Sequence, residues 1–320
     1  MNKDLNISET LLASFDVFEY SFDKINYPEI YKKIVKQLPR RNSTFECLSD
    51  EYAIACEVVC AAICHQINWD FLRGVIYKRT LEDSEWIQAS HLLKITSKDV
   101  ERLLAEYDKP ERIRAKERAR LLRSLGESLL NNNIDYRGIF FDGNNKRTFE
   151  TINIILNCAE AFSNDPESKK TQLLLQNLSE YEDYSFLGKY CKPAIDYHII
   201  REFLRRGIVY PANQTAIDFI ETPKTRKEQT VAGLRKVCAD AFLLLEWLTD
   251  YDIVTLNTVE WWIGRSVCVK EKPDCKLLKD ESQWLKPEFT RCPFYESCYA
   301  RQIDNRYLTI VEPNYQGNSY

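Results

Sequence analysis

The chain has 320 residues, a net charge of −4, and 44% apolar against 29% charged residues, a globular balance that excludes large-scale disorder. Nine glycines and eleven prolines are too few for a turn-rich all-β protein or a collagen-like one. The acidic total excludes a protein that coats nucleic acid by bulk charge, so any such binding has to come from a local patch.

The opening stretch MNKDLNISET carries charge where a secretion signal needs an apolar core, and no apolar run reaches the length of a membrane span. The expectation is a cytoplasmic protein without a membrane partner, whose eleven cysteines stay reduced. Residues 51–64 predict a helix with Ile54, Val58, Ala61 and Ala62 on one stripe. Residues 97–107 predict a helix that starts at Ser97, and Pro110 one that ends near Gly126. Asn131–Asn133 and Asp142–Asn145 mark a loop and a turn. Helices follow over 148–162, from about Pro166 through QLLLQNL, over 195–207 with Gly207 past the end, over 231–249 and over 255–265. Only GIVY (207–210) and YLTIVE (307–312) read as strands, so the fold class is all-α.

Two basic stretches stand out. Residues 112–123 hold Arg112, Arg114, Lys116, Arg118, Arg120 and Arg123, and a second stretch holds Lys224, Arg226 and Lys227. They suit backbone phosphates, and they suit a solvated helix face equally.

Four cysteines crowd residues 264–298. Six residues separate Cys268 from Cys275, five separate Cys292 from Cys298, and sixteen lie between the pairs. Four soft ligands on a polar, proline-bearing segment are what a metal site needs. Zinc pairs are usually tighter, so these wide pairs favour a [4Fe-4S] cluster, with zinc as the alternative.

The pattern Gly-Arg-x-x-Cys-x6-Cys followed by Cys-Pro-x4-Cys resembles the iron–sulfur loop of the endonuclease III branch of the helix-hairpin-helix DNA glycosylases. That family spaces its cysteines by six, two and five, so the middle interval here carries an insertion. KPAIDYHIIREFLRR (192–206) is similar to the catalytic segment of the same superfamily, roughly Pro-Val-Asp-x-His-Val-x-Arg. The matching positions are Pro193, Ile195, Asp196, His198, Ile199 and Arg201. The closest look is to proteins of the α-glutamyl/putrescinyl-thymine pyrophosphorylase-like group, which is linked to hypermodified phage bases.

The resemblance implies two helical lobes, one over 51–195 and the other joining 1–50 to 196–320, with the metal loop in the second. It implies a monomeric DNA N-glycosylase that flips a modified base out of DNA and breaks its N-glycosidic bond, and a role in defence against phage with modified DNA. Asp196 would stabilise positive charge growing on the sugar, and it also reads as a helix N-cap. Lys170 would be the Schiff-base nucleophile of a bifunctional enzyme, and Lys169–Lys170 also reads as a solvated pair at a helix start. Gln66 and Asn68, in CHQINWDFLRG (64–74), would fill the gap left by the flipped base or read its edge, and they also read as a polar helix end. His198 reads as a partner of the metal loop or a base contact, and Arg201 with Arg205 as a phosphate contact or a solvated face. Two rival functions remain: a queuosine-salvage-type nucleotide or nucleoside N-glycosidase, and a non-catalytic metal-bearing nucleic-acid binding protein.

Overall fold

A computed structural model describes residues 18–20, 27–39, 48–163, 167–221, 226–311 and 315–316. In chain order the elements are β1 (Phe18–Tyr20), α1 (Tyr27–Gln37), α2 (Asp50–Ile63), α3 (Trp69–Glu82), α4 (Ala89–Leu92), α5 (Ser97–Leu103) and α6 (Ala115–Asn131). Then come β2 (Phe141–Asp142), β3 (Asn145–Lys146), α7 (Phe149–Asn157), α8 (Lys169–Leu178), α9 (Tyr197–Arg206), β4 (Val209–Pro211) and α10 (Gln214–Glu221). The last are β5 (Arg226–Lys227), α11 (Glu228–Thr249), α12 (Ile253–Ser266), α13 (Tyr299–Gln302) and β6 (Tyr315–Gln316). Among the described residues the strands form only two-stranded sheets: β1 with β4 and β2 with β3, both antiparallel, and β5 with β6, parallel. The protein is all-α, and no described helix is long and apolar enough to cross a membrane.

The chain divides into two units, one of Met1–Arg40 with Lys192–Gly317, the other of Arg41–Cys191 with Asn318–Tyr320. The second unit is built on α2, which packs on α3, α6 and α8. The expectation of one apolar stripe on α2 was too modest. Every residue from Ala53 to Ile63 is buried, because small alanines and cysteines let neighbours close in from all sides. The one acid in that run, Glu57, pairs with Arg73 at 2.8 Å. The first unit packs α9 against α12 and α11, with α1 also on α11 and α12.

Several boundaries differ from the sequence reading; among them, Pro110 opens only a 3₁₀ turn (Pro110–Arg112), and α6 starts at Ala115. α5 is capped by Thr96, whose hydroxyl accepts from Asp99 N while Asp99 accepts from Thr96 N; the box lies one residue ahead of Ser97. α6 runs through Gly126 to Asn131, and that glycine is needed for packing: a Cβ there would lie 2.6 Å from the Ala89 carbonyl. YLTIVE is not a strand through 311. Asn305–Leu308 is a 3₁₀ turn, and β5 pairs instead with Tyr315–Gln316. Pro166, where the sequence predicts a helix start, lies outside the described residues, as does Lys224.

Candidate active site and metal centre

Asp196 stands at the mouth of α9 with extended backbone, and its Oδ1 accepts from His198 N at 2.9 Å and Ile199 N at 3.0 Å. This is an N-cap, as the residue type suggests. The hydrogen bonds shown for the side chain all use Oδ1. Asp196 is 7% exposed, and Oδ2 is not among the buried side-chain atoms lacking a partner. The carboxylate therefore fastens the helix with one oxygen and leaves the other without a hydrogen bond. At the far end Gly207 takes φ +76°, where a Cβ would meet that of Tyr299 at 2.7 Å.

His198 and Arg201 turn inward. Arg201 is 1% exposed; its Nε donates to the Cys268 carbonyl and its Nη2 to the Gly264 carbonyl, each at 2.9 Å. Nη2 also lies 2.9 Å from His198 Nδ1. A guanidinium only donates, so in that contact Nδ1 accepts, and the same nitrogen lies 3.3 Å from the Gly264 carbonyl. Arg205 is buried too, donating to the carbonyls of Ile310, Val269 and Lys270 at 2.7–2.9 Å. The pair at i, i+4 that suited phosphate contact instead rivets α9 to the start of the cysteine loop.

That loop begins where α12 ends. Cys268 N donates to Ile263 O at 2.8 Å, and Asp274 N to Val267 O at 2.7 Å. Asp274 then organises the long interval between the cysteine pairs. Its carboxylate accepts from Leu278 N, Lys279 N and the Ser282 hydroxyl, at 3.0, 2.8 and 2.6 Å. Burial raises its pKa, and these hydrogen bonds with the nearby Lys279 outweigh burial, holding the carboxyl below its ordinary range. Trp284 closes the interval on α12 through Nε1 to Ser266 Oγ at 3.0 Å. The interval between the cysteine pairs is thus a folded flap against the helix that carries Gly264.

Cys268, Cys275, Cys292 and Cys298 are free thiols, and all four line one pocket. Val267, Pro273, Phe294 and Leu308 supply apolar lining, and Arg205, Arg206 and Glu202 supply charge, with Arg206 already paired to Glu202 and Glu260 at 2.8 Å. Cys292 N donates to Cys275 O at 2.9 Å, which ties the two pairs together. Arg205 Nη1 lies 3.7 Å from Cys268 Sγ, and Arg301 Nε donates to Cys275 Sγ at 3.1 Å. Burial, reinforced by neighbouring Cys268 and Cys275, pushes the Cys298 thiol up to about 12. No described group of three or more His, Cys, Asp or Glu is arranged to hold a metal ion. The donor chemistry nevertheless fits a group held by four thiolates: four sulfurs on one pocket, apolar walls, and arginines to offset their negative charge. The pocket sits at the C-terminal end of α9, about 15 Å of helix from its Asp196 cap.

In the other unit, the second set of expected residues gathers around the end of α2. Lys170 is 2% exposed, not solvated, and its Nζ donates to Ala62 O at 2.8 Å. Arg118 is fully buried and donates to the carbonyls of Ile63 and His65. The last turn of α2 has orphan carbonyls and a negative dipole end, and these two cations serve both. Burial lowers the Lys170 amine to about 8 and Arg118 to about 10. It drives His65 down to about 3, so that ring is neutral beside Glu117. Gln66 is exposed and left-handed at φ 55° in the turn after α2. Asn68 is the N-cap of α3, accepting from Phe71 N at 3.0 Å, while its own N–H donates to the Tyr107 hydroxyl.

Of the basic stretch, Arg118 is structural. Arg114 pairs with Glu117 at 2.6 Å, Arg120 with Glu160 at 2.8 Å, and Arg123 donates to Ile95 O. Arg301 at Cys275 had no signal in sequence spacing, since its partner lies 26 residues away. No known family model matches the chain, and no curated protein matches it.

Proposed function

We propose that the protein is a DNA N-glycosylase that releases a modified base by hydrolysis, with Asp196 as its catalytic carboxylate. The observation that carries this reading is the construction of α9. Its N-cap is a carboxylate with one oxygen engaged and one not, and its middle and last turns are fastened by Arg201 and Arg205 to a four-cysteine pocket. A carboxylate at the mouth of this helix with a four-cysteine loop downstream is what the resemblance of residues 192–206 and 264–298 implies; the fastening by Arg201 and Arg205 is not part of it.

As the N-glycosidic bond stretches, positive charge builds on C1′ of the sugar. A carboxylate fixed nearby stabilises that charge and orients water toward it. Because Oδ1 is fully used by the cap, Oδ2 is the atom that does this work. Gln66, held exposed in its turn, is the residue to enter the duplex beside the flipped base, and Asn68 caps the helix behind it. Lys170 favours no lyase step: its amine is buried and committed to Ala62 O. Cys268, Cys275, Cys292 and Cys298 would hold the [4Fe-4S] cluster, or zinc, as a structural tie at the remote end of α9.

The test is incubation with duplexes carrying α-putrescinylthymine, α-glutamylthymine, 5-hydroxymethyluracil or 8-oxoguanine. We expect Asp196→Asn to slow base release by about 10²–10⁴-fold, and borohydride to trap no covalent complex with the wild type. Equal rates for Asp196→Asn and wild type rule out Asp196 as the catalytic group.

One observation favours a small-molecule N-glycosidase instead: the basic stretch at 112–123 is largely spent on acidic partners and buried carbonyls. Salt decides between the two. Duplex binding through Z phosphates weakens with a log–log slope of about −0.9Z, whereas turnover of a free nucleotide lacks that slope.

A further inference from the structure

The segment that delivers Asp196 to its place has no regular structure of its own: residues 191–196 lie in neither helix nor strand. Pro193 brings no N–H, and the backbone of Ala194, buried, has to find partners elsewhere. It finds them on α12. Asn257 Oδ1 accepts from Ala194 N at 2.9 Å, and Asn257 Nδ2 lies 3.5 Å from Ala194 O, across 63 positions of sequence. Asn257 is 6% exposed, and Ile195, next to Ala194, is fully buried. Two helical turns further along α12, Gly264 meets His198: a Cβ there would lie 2.9 Å from that of His198. The carboxylate is therefore bracketed, by Asn257 two residues before it and Gly264 two residues after it.

We propose that Asn257 is a positioning residue for Asp196: its amide fixes Ala194 on both backbone edges and so sets where the open oxygen Oδ2 points. The inference rests on the glycosylase reading. An N-cap alone holds Oδ1 against the helix but leaves the chain before it free to swing, and small displacements of a catalytic group are costly in rate. An amide supplies a donor and an acceptor from one planar group; leucine keeps the same branched heavy-atom skeleton, is bulkier, and supplies neither.

The experiment uses full-length protein and duplexes carrying one α-putrescinylthymine, one α-glutamylthymine or one 5-hydroxymethyluracil. Wild type and Asp196→Asn come first; if wild type releases no base from any duplex, the glycosylase reading falls and this inference falls with it. Given release, Asn257→Leu should lower the single-turnover rate about 10–100-fold while duplex Kd changes less than about twofold. Asn257→Asp, which keeps the acceptor for Ala194 N, should recover part of the rate. An unchanged rate in Asn257→Leu, or a loss matched by an equal loss of duplex binding, overturns the inference with the glycosylase reading intact. Should Asn257→Leu fail to fold, hydrogen exchange at the wild-type Ala194 amide decides. Slow exchange supports the pin, and exchange at the rate of an open loop overturns it.

Discussion

On the proposed reading the two oxygens of one carboxylate at position 196 have separate tasks, capping for Oδ1 and chemistry for Oδ2. Lys170 shows the opposite economy, since all of it goes into the fold. Its amine, lowered to about 8 from 10.5, makes a prediction about stability. Between those two pH values the unfolded chain keeps a proton that the native protein has already lost, so native stability rises with pH across that window. Below about pH 8 the amine is charged in both states, and its burial is a standing penalty. Compared with Lys170→Met, the wild type should therefore gain on the order of 3 kcal/mol between pH 7 and 10.5. Urea denaturation of both proteins at the two pH values measures it. A constant difference would mean that the amine is solvated, with no role at the end of α2.

Among the elements, α12 does the most organising. It pins Ala194 with Asn257, receives His198 at Gly264, and ends two residues before Cys268. Gly264→Ala forces a Cβ to within 3.0 Å of the His198 carbonyl, so α9 has to move. We expect a loss of about 1–3 kcal/mol, read as a lower Tm, together with weaker retention of metal by the loop that α9 holds. Gly74 is the control: it lies within α3 and a Cβ there meets nothing within 4 Å. Gly74→Ala should stabilise by about 0.5–1 kcal/mol. If both glycines respond alike, helix propensity and not packing explains them. The flap offers a parallel test. Asp274→Ala strands two backbone amides and leaves the Ser282 hydroxyl only the Lys279 carbonyl, and should lower thermal stability by about 1–3 kcal/mol.

At the scale of the molecule, what was legible in the sequence is what local chemistry decides. The Asp196 cap, the Gly207 stop and most helix cores follow from residues within a turn of each other. The burial of Arg201 and Arg118 was not legible, because a basic residue in a basic run looks solvated until the carbonyls it serves are known. Those carbonyls lie 55 residues from Arg118 and 63 from Arg201. Asn257 was silent for the same reason, and YLTIVE misled because alternation alone does not name a strand's partner. The four cysteines were legible as a set, and the structure adds the arginines around them. Purified protein should carry iron and acid-labile sulfide, or zinc, in a fixed ratio to chain, lost together with thermal stability in Cys275→Ser.

The most direct measurement is mass spectrometry of the small products after the protein meets DNA with a modified thymine. Release of the intact modified base from wild type, and its near-absence with Asp196→Asn, is the expected spectrum. Undamaged duplex with no free base from any substrate, or equal release by both proteins, would contradict the account.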